Sequence, residues 1–194
     1  MKKAFELIAG HPALDLVNTL DWRFRESGTG ELLASYDDLL RFIQESGMLK
    51  PAQIRQIRYA AGARVLKRCL ELRESIAEIF YARLDGRNSA AESLRTLERS
   101  VKEARSEQRL RWKQERLEWD WSENDSELPL WALSLSASDL MTSEDMDRVR
   151  ACDNSECRWL FLDTSKNHTR RWCDMKVCGN RMKARRFKAR VTTG

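Results

Sequence analysis

Four cysteines in the last quarter of the chain, Cys152, Cys157, Cys173 and Cys178, stand as C-x4-C, fifteen residues, then C-x4-C. Thiolates are the soft, compact donors that zinc selects, and two such pairs brought together close a tetrahedral shell with no position left for substrate. The expected cofactor is therefore a structural Zn²⁺. The last ligand opens a basic stretch. From Lys176 to Arg190 there are seven cations, Lys176, Arg181, Lys183, Arg185, Arg186, Lys188 and Arg190, and the nearest acid is Asp174. Cations at that density exceed what solubility needs and suit a polyanion, nucleic acid first. Arg170 and Arg171, just before Cys173, extend the set of candidate phosphate contacts.

The charge is unevenly placed. Between Cys152 and Arg190 eleven Lys and Arg face four Asp and Glu, whereas the rest of the chain carries 24 basic and 26 acidic residues. Four thiolates and one Zn²⁺ lower the finger by two units and still leave it cationic, with a salt-sensitive pull on polyanions. A segment of about 40 residues has too little core to fold without a staple, which is the physical reason to expect metal there. The remaining length suits one ordinary domain. Without a signal-like segment or a long apolar run, paired cysteines point to a reducing, cytoplasmic setting and to no membrane partner. Cys69, among Val65, Leu66, Leu70 and Leu72, reads as a buried, inert thiol.

These residues need elements to hold them. Pro12 suits the first turn of a helix carrying Leu14, Val17 and Leu20, and Ser35 caps a helix that Gly47 ends. Pro51 opens a helical stretch toward Gly86 with a break near Gly62, and Asn88 or Ser89 starts another helix with Leu94, Leu97 and Val101 inward. Alternation from Leu110 to Trp121 gives a small antiparallel hairpin, placing Trp112, Trp119 and Trp121 in the core together with Trp131 of the next helix. In the finger, residues 152–157 form a knuckle and Trp159 to Leu162 a strand. Thr169 to Cys173 returns as a second strand, and Asp174 caps a helix whose Val177, Ala184 and Phe187 make an apolar stripe.

Knuckle, hairpin and helix follow in the order of a treble clef, and here a family resemblance enters. Arg170-Arg171-Trp172-Cys173-Asp174-Met175, then Cys178-Gly179-Asn180-Arg181, preceded by Phe161-Leu162-Asp163, resembles the CGNR zinc finger family. Leu14-Asp15-Leu16-Val17-Asn18-Thr19 resembles the start of its partner region, the ABATE domain. The resemblance implies stress-induced transcription regulators in which the finger binds DNA and the ABATE domain senses a ligand.

The expected architecture is α+β and mostly helical. Residues 1–143 make a helical domain with a small antiparallel β-sheet, and 144–194 a treble-clef-like zinc finger. Arg181 and Arg185 are the better candidates for base edges if the helix enters the major groove of duplex DNA. His11, Asp15, Asn18, Trp22 and Arg73, polar or amphipathic among core positions, are candidates for a small-molecule effector site; for Asp15 and Asn18 the rival role is capping backbone groups. His168 is an alternative zinc ligand. Ligand-driven homodimer formation is compatible with this arrangement. The rival functions are an RNA or ribonucleoprotein-binding module, which needs exposed stacking aromatics in the finger, and a protein-interaction finger. An enzyme is not expected, since a filled zinc shell leaves no catalytic position.

Overall fold

The computed structural model describes residues 5–57, 59–122 and 125–185. Its elements run α1 (Pro12–Asn18), β1 (Leu20–Asp21), β2 (Gly30–Glu31), α2 (Tyr36–Glu45), α3 (Pro51–Gln56), α4 (Gly62–Leu84), α5 (Ala91–Ser106), β3 (Arg109–Lys113), β4 (Arg116–Asp120), α6 (Leu128–Met141), β5 (Val149–Ala151) and β6 (Leu160–Leu162). A 3-10 turn, Glu144–Arg148, precedes β5. The last element, α7, is π-wound over Met175–Gly179 and α-helical over 180–185. Each sheet is a pair of antiparallel strands. Among the described residues no helix is long and apolar enough to cross a membrane.

Compactness divides the chain at 143/144 and again at 32/33. One unit joins the residues up to Leu32 to those from Glu144 onward; the other is Leu33–Ser143. In the second unit α4, α5 and α6 pack on one another and α2 lies against α4. Phe42, Leu72, Ile76, Phe80 and Leu130 are fully buried there. Helix limits follow local chemistry. The Ser35 hydroxyl accepts from the Asp38 N–H, and Gly47 takes a left-handed φ of 72° just beyond α2. The break before α4 has a packing cause as well: a Cβ on Gly62 would lie 2.8 Å from the Tyr36 ring, so only glycine lets α4 start against α2. Cys69 is fully buried in α4, where burial pushes its thiol pKa up and leaves it inert.

Several expectations are corrected. Helix α5 begins at Ala91, without a side-chain cap from Asn88 or Ser89; the Ala90 N–H goes to Glu78 Oε2 at 3.0 Å. Leu94 is 48% exposed, because Leu97, Ser100 and Ala104 form the buried stripe of α5. The hairpin forms as β3 and β4, but Trp112 and Trp119 lie outside the core, 71% and 62% exposed; of the four tryptophans expected there, Trp131 alone is buried, with Trp121 half-buried beside it. Alternation fixes a strand and its apolar face, yet says nothing of whether a second layer covers that face.

In the first unit the returning strand Thr169–Cys173 does not form. Strand β6 pairs instead with β5, so the knuckle is the loop of this hairpin, and residues 169–173 run irregularly, with Arg171 C=O accepting from Asp153 N–H at 2.9 Å. The N-terminal segment completes the unit. Asn18, at the end of α1, donates from Nδ2 to Leu160 C=O and accepts at Oδ1 from Leu160 N–H, both at 2.9 Å. Its amide thus satisfies a β6 residue as a neighbouring strand would. Ala9 C=O takes the Leu162 N–H at 2.7 Å. Leu20, expected on α1, belongs instead to the short β1–β2 ribbon.

Asn18→Ala strips both partners from a buried backbone unit, and each lost partner costs on the order of 1–2 kcal/mol. Chemical denaturation of the zinc-loaded protein should show a loss of about 2–3 kcal/mol in the transition of the unit that holds the finger.

Candidate metal centre and nucleic-acid interface

The knuckle loop between β5 and β6 carries Cys152 and Cys157, while Cys173 precedes α7 and Cys178 lies in its first turn. The four sulfurs are buried and all lie within 4.8 Å of one another, with Cys157 and Cys173 Sγ 3.7 Å apart. A tetrahedron of bonds near 2.3 Å sets its donors about 3.8 Å apart, so this quartet fits Zn²⁺. Crowding alone would split the thiols. Hydrogen bonding among the sulfurs pulls Cys178 well below the usual thiol range and pushes Cys173 well above it. A divalent cation removes that conflict by binding all four as thiolates.

Local sequence explains the convergence. Asp174 Oδ1 accepts from Val177 N–H at 2.9 Å and starts α7. The π-turn bond from Gly179 N–H to Asp174 C=O, 3.1 Å, closes the wider turn that carries Cys178. A Cβ on Gly179 would meet Met175 Sδ at 2.4 Å and the Trp172 ring at 3.2 Å, so any larger residue has to turn the exposed Met175 side chain aside and press on the indole. Asn154, fully buried, points Nδ2 at Cys178 Sγ from 3.6 Å, and its C=O accepts from Cys157 and Arg158 N–H. Trp159 and Phe161 pack against the cysteines, and Ile8, Trp22 and Trp172 close the cluster.

Sequence reasoning missed two of the polar supports. Asn154 read only as a turn residue. Asp163, named only at the end of Phe161-Leu162-Asp163, is fully buried and accepts from Ser165 N–H and Oγ and from Arg170 N–H. Their one signal was a short polar side chain beside a ligand or a strand end. His168 is no ligand: its Nδ1 sits 3.1 Å from Asp163 C=O, away from the sulfur quartet.

The cations expected to meet phosphate divide into two groups. Arg170 is used internally, donating to Trp172 and Cys173 carbonyls while lying 4.3 Å from the Phe161 ring centroid. Arg171 is exposed and pairs with Asp153, and Arg185 is exposed and pairs with Glu156 at 2.7 Å. Lys176, Arg181 and Lys183 are exposed on α7. Arg186, Lys188 and Arg190, with Phe187 of the apolar stripe, fall outside the described residues. Val177 and Ala184, expected to pack on the hairpin, are exposed. Arg25, from the loop between β1 and β2, was not foreseen: its guanidinium carbon lies 3.5 Å from the Trp22 ring centroid, and that of Arg181 lies 4.6 Å from the same ring.

The effector candidates are placed as follows. His11 caps α1, its Nδ1 accepting from Ala13 N–H at 3.2 Å. Asp15 Oδ1 accepts from Ala9 N–H at 3.0 Å, and Asn18 is committed to Leu160. Trp22 borders a cavity of about 240 Å³ that reaches the cysteines, lined also by Ile8, Trp159 and Arg181. Arg73 is buried on α4, in the other unit, and pairs with Glu74. Asp15 thus binds nearby backbone, whereas Asn18 bonds a strand residue 142 positions on rather than the neighbouring backbone expected of a cap.

The family model described as "putative stress-induced transcription regulator", ABATE, matches residues 10–144. The chain belongs to the ABATE family. The CGNR zinc finger model matches residues 148–191, which places the cysteine quartet of this ABATE protein within a zinc finger of that type. No curated protein matches the chain.

Elemental analysis should find one Zn²⁺ per chain. Asn154→Ala, which removes an amide from a ligand sulfur, should weaken zinc retention about 10- to 100-fold in chelator competition. Asp15 supplies a pH test. Burial raises its pKa from 3.8 to about 6, against the lowering effect of backbone N–H groups. The folded state therefore holds the proton more tightly than the unfolded state, so the stabilising contribution is present below pH 4 and is lost as pH rises through 6. Relative to Asp15→Asn, the wild-type protein should lose stability between about pH 4 and 6, and the difference should level off above about pH 7.

Proposed function

We propose that this ABATE protein is a zinc-stapled, DNA-binding transcription regulator. The observation that carries the reading is helix α7: it starts on a metal ligand and exposes Lys176, Arg181, Lys183 and Arg185 to solvent. A helix fixed at one end by four sulfurs presents its cations without first ordering a chain, so little binding energy goes into rigidification. Trp22 lies under Arg181 and limits its rotamers, which favours Arg181 as the residue that reads a base edge, with Lys176 and Lys183 contacting phosphate. The description of the matched family supports a regulatory role.

The competing readings draw less support. An RNA module needs open aromatics in the finger; Trp159 and Phe161 are buried against the cysteines, and Trp172 is half-buried. An effector site among His11, Asp15 and Asn18 has to displace the backbone hydrogen bonds these side chains make. Four sulfur ligands fill a tetrahedral zinc, so the reading assigns no catalysis to the metal.

Fluorescence anisotropy with the zinc-loaded full chain tests the reading. With four phosphates neutralised, the logarithm of affinity for duplex DNA should fall against the logarithm of salt with a slope of about −4. Lys183→Ala should lower that slope by about one on every sequence. Arg181→Ala should cost about 1–3 kcal/mol on a preferred site and flatten the preference at one position. Absence of duplex binding near ~50 mM salt, where phosphate contacts are strong, overturns the proposal; stronger binding to single-stranded RNA transfers it to the RNA reading.

A further inference from the structure

Strands β3 and β4 read Arg-Leu-Arg-Trp-Lys and Arg-Leu-Glu-Trp-Asp, two copies of one pattern joined by Gln114 and Glu115. Their register pairs Leu110 with Trp119 and Trp112 with Leu117. Directly paired residues share a face, so these four side chains stand together on one side of the hairpin and the charged residues between them on the other. On the apolar side the exposures are 53% for Leu110, 71% for Trp112, 50% for Leu117 and 62% for Trp119. Among the described residues the hairpin is a two-stranded sheet with no third strand. Such a ribbon holds its shape poorly in water until a second layer covers its apolar face.

We infer that this face is a homodimer interface, on which the same face of a second copy of the chain packs. The register makes the surface a checkerboard, each Trp diagonal to the other and adjacent to two Leu. A two-fold axis lying between two such faces, along the strands or across them, sets every Trp of one copy over a Leu of the other. Large side chains therefore meet small ones at all four positions. The repeated pattern supplies what an isologous contact needs, a patch complementary to itself.

The charges argue for the same occupant. A platform for nucleic-acid bases sets cations beside its aromatics. Here the intervening cations alternate to the opposite face, where Lys113 pairs with Asp120 at 2.9 Å and Arg109 donates to the Ser106 and Gln108 carbonyls. The apolar face can be covered without burying a charge. Two Trp and two Leu side chains at these exposures amount to roughly 500 Å² per copy, or about 1,000 Å² for the pair, which meets the lower bound for a specific interface. The contact is independent of the DNA-binding reading and is measured without nucleic acid.

Sedimentation of the zinc-loaded full chain over about 1–100 µM, a range suited to an interface of this size, decides the matter. The expected result is a monomer–dimer equilibrium that Trp112→Ser combined with Trp119→Ser weakens about 100-fold or more, with far-UV dichroism and zinc content unchanged. Leu110→Trp combined with Leu117→Trp separates shape from stickiness: it adds apolar surface yet sets Trp against Trp, and should weaken the dimer about 10-fold. A wild-type chain that stays monomeric at ~100 µM, or a dimer untouched by the serine pair, overturns the inference. So does a dimer tightened by the added tryptophans, which would mark indiscriminate apolar adhesion.

Discussion

Four sulfur atoms within 4.8 Å of one another form an arrangement that protein chemistry alone cannot hold comfortably, since as thiolates they repel and as thiols they crowd. A divalent cation turns that conflict into the strongest cohesion available to a unit with a small core. The surrounding structure serves the quartet. Strands β5 and β6 end in the knuckle, the π-turn of α7 sets Cys178 inward, and Asn154 holds an amide to its sulfur. The N-terminal segment brings Ile8 and Trp22 against the cysteine cluster and the Asn18 amide to β6.

The same unit separates its arginines by environment. Arg170, ringed by carbonyls and set over Phe161, fastens the irregular run before Cys173, whereas Arg181 keeps its guanidinium in solvent against Trp22. Arg25, from a short ribbon far upstream in sequence, lies on the same indole. Identical side chains thus hold the finger together in one place and stand open to solvent in another, and what distinguishes them is access to backbone carbonyls rather than local charge density.

Features set by neighbours in sequence were legible from sequence. The cysteine spacing, the Ser35 and Asp174 caps, the break before Gly62 and the β3–β4 hairpin each depend on a few adjacent residues, and each is in place. Features set by distant partners were not. Thr169 to Cys173 has strand-like composition, but Val149–Ala151 takes the pairing position beside β6. Asn18 read as a cap for neighbouring backbone before it read as a pocket residue, and neither reading could reach its partner Leu160, 142 residues on. Trp112 and Trp119 alternate as core residues do, and they are exposed because no element among the described residues covers that face of the hairpin.

The bond between Asn18 and Leu160 also sets a timetable for the chain as it leaves the ribosome. Residues 5–32 emerge first, yet their partners in β6 and the later cysteines come only after the whole of Leu33–Ser143 has been made. At roughly 5–20 residues per second that interval lasts many seconds. The helical unit is free to fold during that time, while the apolar α1 segment waits unpaired and open to chaperones. Closure then coincides with zinc capture, so a cell short of zinc would accumulate chains whose helical middle is finished and whose first and last segments remain unjoined.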